Sequence, residues 1–276
     1  MTLKSILVHV DDTISSARRL RVATEIARHF DADLAGIYFP PMTPGVDDPA
    51  QLPPPEIAMR LSQGEMRDRV ESALRTAVES ARVRGGDMRV VDRNIEGGIA
   101  EMRCADLSVL SQAGADGDRS GFERRLAEQA VLANGAPVVF VPYAPATSSV
   151  GERIVIAWDG GREAARAVRD ALPFLSSAKR VTVLSFGSRA RLGEETSRSQ
   201  ARLAAYLQAH GIESDLRRMV CAADEAGELL LSQLADLGAD LLVMGAYGHT
   251  RVREIVLGGV TRTILDSMTV PVLMSH

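Results

Sequence analysis

Two stretches of this chain can be laid over each other without a gap. ADLSVLSQAG (105–114) matches ADLLVMGAYG (239–248) at an offset of 134, and the same offset carries APVVFVP (136–142) onto VPVLMSH (270–276). Nearer the start, ILVHVDD (6–12) resembles IVIAWDG (154–160) at an offset of 148. A chain written twice has one packing problem to solve twice, so whatever fold suits one half must suit the other. The two offsets make the first repeat 14 residues longer, and the excess falls on PPMTPGVDDPAQLPPP (40–55). Its prolines can continue neither a helix nor a central strand. A lid, a partner contact and a plain loop all remain open for it. YAPATSSVGE (143–152) has the composition of a linker. The repeats are therefore expected as domains of residues 1–147 and 148–276.

Periodicity within the second repeat alternates strand with helix. RIVIAWD, RVTVLSF, SDLRRMV, ADLLVMG and VPVLMS are short apolar or β-rich runs. Between them lie GREAARAVRDALPFL, SRSQARLAAYLQAHG, AGELLLSQLADLG and VTRTILDSM, with apolar residues near helical spacing. ADLLVMG shows little alternation, as expected of a strand covered on both faces. The fold class that follows is α/β: two tandem doubly wound domains, each with a roughly five-stranded parallel sheet flanked by helices.

A chain of 276 residues is long enough for two such domains, and 46% hydrophobic with 25% charged residues is a globular balance. The net charge is −4 and no basic stripe carries interleaved aromatics, so nucleic acid is not an expected partner. No apolar run approaches the ~20 residues of a membrane span. MTLKSILVHVDD has too short an apolar run for a leader, which leaves the cytoplasm as the expected compartment. Cys104 and Cys221 form no CxxC pair and read as small buried hydrophobes. The five histidines show no HxxxH spacing, so no metal site is suggested.

GAYGHTRVREIVLGGVTR (245–262) concentrates glycine. Gly245 follows the strand LLVM directly and so lies beyond its carboxyl end, where open parallel sheets bind ligands. Gly258 and Gly259 precede the helix VTRTILDSM. A helix N-terminus offers unpaired N–H groups and a partial positive charge, worth about 0.3–1 kcal/mol to an anion, and glycine lets a phosphate come close. Thr261 adds a hydroxyl in the first turn, and His249, Arg251 and Arg253 lie in the loop between. On spacing alone two readings stand: a phosphate cradle, and a turn followed by an ordinary helix start. Neither GxxxxGK[ST] nor a strand-to-helix GxGxxG is present.

Gly245-Ala-Tyr-Gly248, nine residues, Gly258-Gly259-Val260-Thr261 and then Pro271-Val272-Leu273, with VIAWDG (155–160) ahead of them, resemble the universal stress protein family. The resemblance extends over nearly the whole chain as two copies. Members with this motif bind ATP. The resemblance implies that Ala157 and Asp159 lie near ribose and adenine and that Val183 lines the adenine pocket. It implies that Met244, Gly245 and Gly248 run beneath the nucleotide. It implies that Gly258, Gly259, Val260 and Thr261 hold the phosphates, with His249 a further phosphate contact and Mg²⁺ as companion ion. One departure stands out: many ATP-binding members have Ser or Thr where this chain has Gly259, so a backbone N–H is kept and a hydroxyl is lost. The implied role is a cytoplasmic, stress-linked ATP-binding sensor or regulator. The alternatives are a scaffold of the same fold without nucleotide, and a slow ATPase in which His249 positions a water. Family members associate through the final strand, so the two halves are expected to pack as a pseudo-dimer with VVFVP and VPVLMS as the two edges; a homodimer and a protein partner are also implied.

The repeat register shows the first half's version of this motif. Gly245 becomes Ser111, Gly248 is kept as Gly114, and Gly258 and Gly259 become Arg124 and Arg125. Two arginines then stand where a backbone nest should be, either covering a vacant anion site or forming a solvated helix face. In both cases the first repeat is expected to be degenerate. Asp11 keeps the position of Asp159 and, with Asp12, reads as a helix cap; His9 reads as a hydrogen-bonded core residue. No Ser-His-Asp order, GxSxG elbow or paired carboxylates suggest covalent or acid–base catalysis.

Overall fold

A computed structural model of the chain describes residues 2–40, 54–91, 94–112, 120–144, 149–188, 192–248 and 259–276. Strand and helix alternate as the periodicity requires. The chain divides into two compact units, Leu3–Val109 and Leu110–His276.

The first unit contains β1 (Ser5–Val10), α1 (Ile14–Phe30), β2 (Asp33–Tyr38), α2 (Pro54–Ala81), β3 (Arg84–Val90) and α3 (Ile95–Met102), and β4 (Leu107–Ser111) begins in it. Its strands lie in the order β3-β2-β1-β4 and are parallel. β1 is the central strand and its residues from Ile6 onward are buried. That explains an apolar run without alternation. α1 and α2 pack on each other and against the strands. At the start of β1, the Asp106 carboxylate accepts the N–H groups of Lys4 (2.7 Å) and Ser5 (3.0 Å).

The second unit contains α4 (Ser120–Ala133), β5 (Val138–Val141), β6 (Arg153–Ala157), α5 (Arg162–Asp170), α6 (Leu172–Ser177), β7 (Arg180–Gly187), α7 (Glu194–Ala209), β8 (Asp215–Val220), α8 (Ala226–Asp236), β9 (Leu241–Gly245), α9 (Gly259–Ser267) and β10 (Val272–Ser275). Its strand order is β5-β10-β9-β6-β7-β8. All these pairings are parallel except β5–β10, where Phe140 faces Val272 and Val138 faces Met274 in antiparallel register. The two final strands, expected as edges for association, thus pair with each other. A paired edge no longer exposes a row of N–H and C=O groups.

The repeat survives in the registers. Ile6 sits beside Leu107 and Ile154 beside Leu241, the same pairing under the two offsets. The counterpart of Asp106 is Asp240, whose fully buried carboxylate accepts N–H groups from Gly151 (3.2 Å), Glu152 (3.0 Å) and Arg153 (2.8 Å) and the Ser149 hydroxyl (2.7 Å). Counted within each repeat, the strand order is 3-2-1-4-5 both times. The repeats meet near residue 148, while the compact units meet after Val109. The difference arises because β5 carries its pairing on to β10.

Two local expectations change. The helix expected over GREAARAVRDALPFL is two helices, broken at Ala171. Pro173 has no N–H to donate to the carbonyl four residues back, so α5 stops and α6 starts with proline in its first turn. Cys104 is exposed and Cys221 half-buried, not core residues, because one lies in the turn after α3 and the other follows the outermost strand of its unit. The proline-rich segment lies mostly outside the described residues.

Candidate functional site

In the second repeat, β6 lies between β7 and β9. The chain leaves β6 toward β7 and leaves β9 toward β10, on opposite sides. This is the switch point at which a doubly wound sheet opens a crevice beyond its carboxyl ends. Ala157, the last residue of β6, is in register with Met244 of β9. Asp159 follows two residues on and is exposed; one carboxylate oxygen accepts the Gly161 N–H at 2.8 Å, which shapes the turn into α5. Val183 is fully buried in β7 beside Ile156, and Met244 is 4% exposed. Gly259, Val260 and Thr261 form the first turn of α9, Gly259 exposed, Val260 half-buried and Thr261 buried. His249 and Gly258 lie outside the described residues, as does Gly114 of the first repeat. The structure therefore brings Ala157, Asp159, Met244, Gly245 and Gly248 together at one switch point and opens a helix at Gly259.

The glycines divide by their surroundings. A methyl group on Gly245 would meet the Ala164 backbone nitrogen at 2.4 Å and the Glu163 carbonyl carbon at 2.5 Å. The absence of a side chain there lets α5 lie against β9. At Gly259, among the described residues, nothing lies within 4 Å of where a Cβ would be. Among the described residues, packing does not demand that glycine.

Sequence reasoning missed a polar group beneath the loop. Glu163, in the first turn of α5, is 7% exposed, and its carboxylate lies 2.9 Å from where a Cβ of Gly248 would stand. Burial alone would raise its pKa. Its own backbone N–H, the Arg162 guanidinium at 2.7 Å and the charge of His276 outweigh burial and hold it below the ordinary value. Tyr247, between the two glycines, adopts the left-handed conformation at φ 63°, a strained setting for a residue with a side chain. Burial, with the Glu128 carboxylate adding to it, pushes its phenol up to about 12. Its hydroxyl is buried without a hydrogen-bond partner among the described residues. The His276 ring lies edge-on to it at 6.4 Å and contacts the Ala246 carbonyl at 3.0 Å. Trp158, the one tryptophan of the chain, reaches back from the end of β6 to the Ser199 hydroxyl at 3.0 Å. Nothing in the spacing marks Glu163 or Tyr247; Glu163 gains its place only when α5 closes on β9.

Residues 151–276 match the universal stress protein family. This part of the chain carries a universal stress protein domain. A universal stress protein of Synechocystis is 36% identical over 67 residues, which is 24% of this chain and 22% of that protein's length. A universal stress protein structure from Archaeoglobus fulgidus shares the fold over 98% of this chain and 97% of its own, with a TM-score of 0.75 at 16% identity. A universal stress protein solved in complex with cAMP aligns with 45% of this chain and 96% of its own at 22% identity, with a TM-score of 0.37.

The universal stress protein motif of residues 245–261 has a different counterpart in the first repeat. Arg124 and Arg125 are exposed on α4, and the Arg125 Nε donates to the Gly121 carbonyl at 3.3 Å, which is the solvated helix face of the two readings. Asp11 does not cap α1: Thr13 holds that position without a side-chain bond. Instead, Asp11 accepts the Thr13 N–H (2.9 Å) and hydroxyl, the same two-residue turn that Asp159 makes, and pairs with Arg19 at 2.7 Å. Burial pushes its carboxyl up, but Arg19, His9 and the Thr13 donors together hold it well below the usual carboxylate range. His9 is 7% exposed, with its ring edge-on to Phe39 at 5.5 Å.

Proposed function

We propose that residues 148–276 bind a nucleotide, ATP foremost, and that the chain serves in the cytoplasm as a stress-linked sensor or regulator. In this reading Ala157 and Asp159 meet the adenosine and Val183 backs the adenine. Met244, Gly245 and Gly248 pass beneath the nucleotide. His249, Gly258, Gly259, Val260 and Thr261 take the phosphates, and Mg²⁺ accompanies them. Residues 1–147 act as a degenerate companion domain with a supporting or protein-binding role, and chains associate as a homodimer. Nucleic acid and membrane have no part.

The observation that carries this reading is that no described residue lies within 4 Å of a Cβ at Gly259, on the first turn of α9. Exposed backbone N–H groups at a helix start are what a phosphate chain needs. The same observation supplies the test. The Cβ of Gly259→Leu meets no described residue within 4 Å, and in this reading the side chain fills the cradle. The expected result is ATP affinity lowered at least about tenfold, equivalent to about 1.4 kcal/mol, with an unchanged circular dichroism spectrum. Wild-type affinity in this variant contradicts the cradle.

A second reading has its own support. Gly245 is accounted for by the packing of α5 on β9, with no ligand needed, as suits a scaffold that holds no nucleotide. Mass spectrometry of small molecules released from protein purified without added nucleotide separates the two.

A further inference from the structure

The repeat offset of 148 sets His9, Asp11 and Arg19 of the first repeat over Ala157, Asp159 and Ala167 of the second. The strands around them keep the same register, so the two settings differ in side chains. Arg19 is 1% exposed although it carries a full charge. Its Nε donates to the His9 carbonyl at 2.7 Å and its Nη2 lies 2.7 Å from the Asp11 carboxylate. His9 closes the other side, its Nε2 3.9 Å from Asp11 and its ring against Phe39. The guanidinium therefore lies across the carboxyl end of β1, at the first repeat's own switch point. In the second repeat a methyl group stands at each of the positions of Arg19 and His9, and the acid is exposed.

We propose that Arg19, held by Asp11 and walled by His9, is a built-in occupant of the first repeat's strand-end site, and that these residues confine nucleoside binding to the second repeat. The inference rests on the nucleotide reading of residues 157–261. A ligand entering at β1 must displace the guanidinium and leave a buried carboxylate uncompensated, a penalty on the order of 100-fold in affinity or more.

The test is photolabelling of the full chain with 8-azidoadenosine, read by peptide mapping, together with calorimetry of adenosine. Wild type is expected to carry label only on peptides from residues 153–276 and to bind one adenosine. His9→Ala/Arg19→Ala, which copies the second repeat, is expected to gain label on peptides from residues 5–40 and a second adenosine. Asp11→Asn/Arg19→Ala, which removes both charges together, is expected to do the same. Label on residues 5–40 of wild type overturns the proposal, as does a folded variant of either kind that stays at one site. Should neither variant fold, the wild-type map still decides. Label on both repeats refutes this inference alone, whereas no label anywhere refutes the nucleotide reading and this inference with it.

Discussion

Single carboxylates hold the ends of this fold. Asp240, fully buried, collects three backbone N–H groups and a hydroxyl where β6 begins. Asp240→Ala strands those donors, and chemical denaturation should show a loss of about 2–4 kcal/mol. Its counterpart Asp106 does the same for β1 from an exposed position with two N–H groups, so Asp106→Ala should cost about 1 kcal/mol. Equal costs would mean that burial is not what gives Asp240 its weight. Asp11 makes a pH prediction. Its folded pKa is depressed by Arg19 and Thr13 against the opposing effect of burial, so its contribution is complete above the unfolded value near ~4 and is lost as pH falls below that. Between pH ~4 and ~2 the wild type should lose stability more steeply than Asp11→Asn, by up to about 1.4 kcal/mol per pH unit; parallel curves would show the pair to be inert. Asp159 was visible in the sequence because it ends an apolar run. Arg19 was not, because in SARRLRV it is one arginine of three and only the packing of α1 shows which one turns inward.

At the level of elements, the glycines on either side of the segment between β9 and α9 differ in what surrounds them. Gly245→Ala sets a methyl group against the backbone of α5 at 2.4 Å, and thermal unfolding should report a loss of about 3 kcal/mol. Gly259→Ala meets nothing among the described residues and should be neutral or stabilising by up to about 1 kcal/mol. If the two substitutions cost the same, the contrast between a packing glycine and an open one is wrong. Glycine spacing alone could not separate these cases, since both positions obey the same motif. Strand and helix positions were legible because buried parallel strands read as continuous apolar runs. The break at Ala171 was legible only as a proline near a helix end. Glu163 and Tyr247 stayed hidden because their roles depend on which helix closes over which strand.

For the whole molecule, duplication made the fold legible, while the two repeats have diverged in their side chains. Both repeats keep the 3-2-1-4-5 strand order and the aspartate that ties the fourth strand to the first. They differ in side chains at matching positions: an exposed acid, two alanines and an exposed glycine at the start of α9 in one repeat, an Arg19–Asp11 ion pair and exposed arginines in the other. The sequence repeat places a boundary near 148. The compact-unit boundary after Val109 could not be read from sequence, because it depends on β5 pairing with β10 rather than on any local signal. Calorimetric titration of the full chain with ATP tests this asymmetry most directly. One site per chain, lost in Gly259→Leu, is the predicted result; two equivalent sites, or none, would contradict it.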